Sequence, residues 1–198
     1  MHPFIETICI EAGCACSLDR HNARMNRTRA VFYPDAPPLD LAHLLHTLPS
    51  LPVQRHKWRV PYGLDFGPHE LTPYAVNPPR TLRLVACDEV DYTHKRADRS
   101  ALAAVLAHAQ GADDVLIVKQ GLLTDTSIAN IALCINGNWF TPERPLLPGT
   151  TRERLLEEGL LQTAPLTPDS LCLCTRIRLF NALVHWGEVE LLPSVVLE

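Results

Sequence analysis

A chain of 198 residues, 46% hydrophobic and 20% charged, can bury the core of one large domain or two small ones, which excludes a disordered chain. Its formal net charge of −4 leaves no basic excess for a nucleic-acid or anionic membrane surface. No apolar run reaches the roughly 18 residues of a membrane span, and the opening MHPFIETICIEAG lacks the basic start and apolar core of a secretory signal, so a cytoplasmic protein is expected.

In chain order, FIETICIEAG reads as a strand, SLDRHNARMNRTRAVF as a charged helix and KWRVPYG as a short strand. The 17 prolines cluster, and the last cluster, PYAVNPPR, can continue neither a helix nor a central strand. It sets the expected boundary between a small N-terminal α/β domain, residues 1–77, and a larger β-rich domain, residues 78–198. TLRLVACDEVDY reads as a strand. Asp98 or Ser100 then caps a helix whose apolar face is Leu102, Val105, Leu106 and Ala109, ended by Gly111.

Strand DDVLIVK, a turn at Gln120-Gly121, strand SIANIALCI, the hairpin signal Asn136-Gly137 and NWFT form an antiparallel meander. LLPGTTRERLLEEGLL starts another helix, with Thr150 and Glu153 as a capping box and Leu155, Leu156 and Leu160 as its buried stripe. RLFNALVHWGEVELLPSV closes the chain as helix or strand, with Asn181 capping it or lining a pocket. The expected class is α+β, a β-rich unit with helices packed on it. Trp58, Trp139 and Trp186 read as core or interface.

Seven cysteines are an odd number without a disulfide spacing, so free thiols are expected. Cys14-Ala-Cys16 and Cys172-Leu-Cys174 have one intervening residue instead of the two to four of a zinc loop. Each pair reads as lining one sheet face, and no metal is expected.

Lys95 lies between His94 and Arg96, at the end of a strand and just ahead of a helix. Two flanking cations depress the proton affinity of a lysine, which makes it either a surface charge or a primed amine nucleophile. His94, its neighbour on an extended chain, points the other way. At Gly149 the absence of a side chain lets a ligand approach the backbone. Free amides at that turn suit an anion such as phosphate, and Thr150 and Thr151 add hydroxyls. Arg152 in the first turn opposes the helix dipole, which fits a negative ligand nearby; an ordinary capped helix is the alternative. With the carboxylate of Asp125 these are the parts a pyridoxal phosphate site requires: an amine, an acid for the ring nitrogen and a phosphate cup.

The ordered runs KRADR from Lys95, GLLTDTSIAN from Gly121 and LPGTTR from Leu147, preceded by FIET and HNAR, resemble the class IV aminotransferases. These are the fold-type IV pyridoxal phosphate enzymes, which include branched-chain and D-amino acid aminotransferases and aminodeoxychorismate lyase. The resemblance implies that Lys95 is the Schiff-base lysine and that Arg24 holds the cofactor phosphate. It implies Thr150 and Thr151 as the cup at Gly149, Thr126 and Ser127 near the ring or phosphate, Leu147 against the ring and Asp125 at the pyridine nitrogen. A charged helix face shared with Arg20, Arg27 and Arg29 would also explain Arg24.

Three departures accompany the resemblance. Asp125 stands where the family has glutamate. The chain begins close to FIET, so a truncated small domain is expected. WRVPYG offers Tyr62 where some members place an arginine for the substrate carboxylate, with Arg59 or Arg55 as substitutes. The implied activity is amino-group transfer between an amino acid and a 2-oxo acid, in a homodimer. The alternatives are an aminodeoxychorismate-lyase-like enzyme releasing pyruvate and 4-aminobenzoate, or a cofactor-binding homologue without catalysis.

Overall fold

Buried Trp58, Val60 and Tyr62, alternating with half-buried neighbours, shape the first sheet of the computed structural model, which describes residues 2–197. Its elements are β1 (Phe4–Glu11), β2 (Cys14–Ala15), helix α1 (Leu18–Phe32), helix α2 (Leu41–Leu45), β3 (His56–Tyr62) and β4 (Glu70–Pro73). The strands are antiparallel in the order β2-β1-β3-β4. One face of β1 carries Phe4, Ile8 and Ile10. These pack with Trp58, Val60 and Tyr62 of β3, Met25 of α1 and Leu41 of α2. Each such fully buried side chain contributes roughly 1.5–3 kcal/mol. The buried residues of α1 are mostly polar: His21, Arg24, Met25, Thr28 and Arg29.

The chain folds into two compact units. The first takes in the chain up to Val76 together with His94–Asp98; the second takes in Asn77–Thr93 and the chain from Arg99 onward. The excursion 94–98 is held in the first unit by main-chain bonds. Ile5 N–H donates to Lys95 O at 2.9 Å, and Ala97 N–H donates to Pro3 O at 2.8 Å. Lys95 therefore does not end a strand; its segment makes an isolated bridge, Arg96 opposite Phe4.

The second unit begins with β5 (Leu82–Ala86), α3 (Ser100–Leu106), β6 (Asp114–Lys119), β7 (Leu122–Thr126), β8 (Asn130–Ile135) and β9 (Asn138–Pro142). It continues through α4 (Thr150–Glu157), β10 (Gln162–Ala164), α5 (Ser170–Leu173), β11 (Arg176–Phe180), β12 (Val189–Leu191) and β13 (Val196–Leu197). Its sheet runs β10-β9-β8-β7-β6-β5-β13, with β11 pairing both β8 and β12. The expected meander is present from β6 to β9. Its two tight turns place Gln120, Gly121, Asn136 and Gly137 at positive φ, the geometry that matches strand twist in two-residue hairpins.

Several local expectations shift. Leu122–Thr126 is a strand in its own right, and β8 begins only at Asn130, because residues 127–129 turn. The cap of α3 is Arg99, between the two candidates Asp98 and Ser100, and Leu106 is exposed. Gly149 is the cap of α4 and accepts Glu153 N–H at 2.9 Å, so Thr150 is its first helical residue. Leu155 is buried with Leu161, whereas Leu160 is exposed, since the chain leaves the helix at Gly159 with positive φ. Cys172 lies on α5 and is exposed while Cys174 is buried, so that pair lines no sheet face. All seven cysteines are free thiols. Trp58 is in the core, and Trp139 and Trp186 meet edge to face at 5.3 Å. Among the described residues, no helix is long and apolar enough to cross a membrane.

Candidate functional site

In the first unit, the polar side of α1 converges on Glu6 of β1, a carboxylate with no solvent exposure. Arg24 donates to it from Nε at 3.0 Å and from Nη2, and His21 Nδ1 lies 2.6 Å from its Oε2. Burial pushes the Glu6 carboxyl up, but Arg24 and His21 outweigh it and hold the group at about 2. His21 is carried below its usual value, first by burial, against the opposing pull of Glu6. A neutral His21 thus donates its Nδ1 proton to an ionised Glu6, which can only accept. The charge of Lys95 also reaches His21 and helps keep it neutral.

His94 and Arg96 share one side of their segment. The His94 ring stands edge-on to Phe32 at 5.0 Å, and the Arg96 guanidinium lies 5.7 Å from the ring centres of both Phe4 and Phe32. Arg59 and Tyr62 fall on opposite faces of β3: Tyr62 is fully buried beside Phe4, and Arg59 is half-buried on the other face. One ligand cannot use both from that strand.

In the second unit, Asp125 ends β7 and is buried. Its Oδ1 accepts Asn130 Nδ2 at 2.8 Å and its Oδ2 accepts Leu147 N–H at 2.9 Å. Burial raises the carboxyl to about 6, against these bonds and the pull of the Arg152 charge. Thr126 Oγ1 accepts the amides of Ile128 and Ala129, shaping the turn that follows. Ser127 is fixed through its backbone: its N–H donates to Asp114 and its carbonyl accepts Arg99. Thr150 is buried at the start of α4, and Thr151 Oγ1 donates to Asn181 O at 3.0 Å. Asn181 Nδ2 reaches Ile128 O at 3.0 Å, which ties α4 to the turn between β7 and β8.

Gly149 leaves room for another side chain of this unit. A Cβ there would sit 2.0 Å from Asn130 Oδ1, so the space is filled by this chain's own asparagine. Within this unit Asn130 joins Asp125, Leu147 and Gly149, three residues named from the sequence. Asn130 itself was readable only as a polar residue in the apolar strand SIANIALCI, and buried polar groups are rarely without a partner.

The second unit's donor set suits pyridoxal phosphate. Asp125 uses two of its roughly four lone-pair sites and retains capacity for a protonated ring nitrogen. The start of α4 presents backbone amides, the buried hydroxyl residue Thr150 and the buried cation Arg152, all compatible with an anionic phosphate.

Residues 68–192 match the family described as amino-transferase class IV. A crystal structure from Haemophilus somnus, provisionally named a 4-amino-4-deoxychorismate lyase, is 33% identical with a TM-score of 0.87, covering 94% of this chain and 98% of that one. An uncharacterized protein of Haemophilus influenzae is 31% identical over 92% of this chain and 98% of its own length. A Schizosaccharomyces pombe protein, provisionally named an aminodeoxychorismate lyase, is 39% identical over 36% of this chain and 33% of its own length. The family profile and the near-complete coverage of a 31% identical relative agree with the α+β fold and the donor set: this chain belongs to the class IV aminotransferases, a family of fold-type IV pyridoxal phosphate enzymes.

Proposed function

We propose that this chain transfers an amino group between an amino acid and a 2-oxo acid, with Lys95 as its reacting amine. The observation that carries this reading is Asp125. Burying an ionisable carboxyl costs several kcal/mol unless a charged partner meets it, and a pyridinium N–H is such a partner. The cofactor, when bound, supplies an electron sink for the carbon that loses its proton. Lys95 takes up and returns that proton as a free amine. Arg24 binds the phosphate, with Glu6 fixing two of its guanidinium nitrogens. In the second unit Thr150, Thr151 and the amides after Gly149 would form an anion cup, Leu147 would pack on the ring, and Thr126 and Ser127 would border it. The substrate carboxylate falls to Arg59 or Tyr62. The working form in this proposal is a cytoplasmic homodimer.

Borohydride reduction of the purified holoenzyme followed by peptide mapping should place the cofactor mass on Lys95. Lys95→Ala should lose the absorbance band of the lysine-bound cofactor. Retention of both band and turnover by that variant rejects the assignment.

A second reading, release of pyruvate and 4-aminobenzoate from aminodeoxychorismate, is favoured by the name of the 33% identical Haemophilus somnus structure. Amino transfer that depends on an added 2-oxo acid selects the first reading; pyruvate formed without any acceptor selects the second.

A further inference from the structure

Asp125 and Asn130 face each other across the β7–β8 ladder, and their side chains meet as well. Asn130 Nδ2 donates to Asp125 Oδ1 at 2.8 Å and to Leu147 O at 3.0 Å, while Leu147 N–H donates to Asp125 Oδ2 at 2.9 Å. Each carboxylate oxygen therefore has its own anchor, and the carboxyl plane cannot turn about its last torsion without breaking one of them. The amide oxygen of Asn130 occupies the place a Cβ would take at residue 149, so a side chain there would displace it. Charged groups flank the cluster: Arg152 from α4 acts on Asp125 itself, and Asp114 and Arg99 hold the backbone of Ser127.

We propose that Asn130 is a positioning residue that, with Gly149 making room for it, aims the Asp125 carboxylate and sets its proton affinity, resting on the assignment of Asp125 to the cofactor ring. An aspartate has one methylene fewer than glutamate with which to adjust, so its direction is decided by what anchors it. Asn130 supplies the anchor that the backbone of Leu147 alone cannot.

The direct test is a titration of the Asp125 carboxyl carbon by NMR in cofactor-free protein, comparing wild type with Asn130→Ala and Gly149→Ala. Both variants remove the Asn130 donor, one by deletion and one by displacement, and either suffices if the other does not fold. The midpoint should move upward by about one pH unit, roughly a tenfold gain in proton affinity. In the loaded enzyme the acid limb of kcat should move the same way, with KM little changed. An unmoved midpoint in a folded variant overturns the role of Asn130 alone. A moved midpoint with an unaltered cofactor spectrum and pH profile overturns the assignment of Asp125 to the ring, and the positioning role with it, leaving only a local hold of Asn130 on Asp125.

Discussion

Arg24 grips Glu6, 18 residues earlier in the chain, through two guanidinium nitrogens, and Glu6 is fully buried. Removing one member of a buried ion pair leaves the other charge uncompensated, which costs about 3–5 kcal/mol. Glu6→Gln should therefore lower the unfolding free energy obtained from urea melts at pH 7 by that amount. A loss under about 1 kcal/mol would mean that Arg24 finds a different partner.

Glu6 and Asp125 have opposite pH signatures. The folded-state value of Glu6 is depressed from 4.5 to about 2, so its contribution is complete above pH 4.5 and fades as pH falls toward 2. The Asp125 value is raised from 3.8 to about 6, so the folded protein binds the extra proton, and stability falls as pH rises across that interval by about 3 kcal/mol. Urea melts of the cofactor-free protein between pH 4 and 7 should show this decline, and Asp125→Ala should flatten it. Equal slopes in the two proteins would exclude a raised Asp125.

Tyr62 Oη is buried without a hydrogen-bond partner. Thr28 is close enough to restrain its proton affinity but lies outside bonding geometry, and burial pushes the phenol above its usual value. Tyr62→Phe removes an unsatisfied group and should leave stability within about 0.5 kcal/mol of wild type or slightly higher. The same variant decides whether Tyr62 meets substrate: a KM raised tenfold with unchanged stability assigns it that role, and an unchanged KM leaves Arg59.

Cysteine reactivity should follow exposure. Cys14 and Cys172 are exposed, whereas Cys9, Cys134 and Cys174 are buried. Burial, joined by the adjacent Cys16 thiol, pushes Cys9 up to about 12, and burial pushes Cys174 up to about 11. At pH 8 the thiolate fraction of Cys9 is then about one part in ten thousand. Brief alkylation of the native protein should modify Cys14 and Cys172 and spare Cys9 and Cys174 until denaturant is added. Labelling of Cys9 at the rate of Cys14 would contradict the packing of β1.

Elements whose signal is local were readable from residue order. The strand FIETICIE, the charged helix behind it and the hairpins at Gln120-Gly121 and Asn136-Gly137 all occur as expected. Their signals are an apolar run of strand length, a charged run without helix breakers and residues that tolerate positive φ. The failures were local signals with a competing solution. Thr150 and Glu153 match a capping box, yet Gly149 takes the cap position. Leu160 fits the helical period, but the helix has already ended and Leu161 enters the core instead.

Sequence by itself determined the family and the class of cofactor, since these depend on residue type and order. Tertiary structure alone decided what those residues touch. Nothing local to Gly149 announces an asparagine 19 positions earlier filling its missing side chain, and nothing local to Arg24 announces a glutamate buried on β1. Such contacts join positions far apart in the chain, and their energies come from burial and desolvation, which exist only once the core has closed.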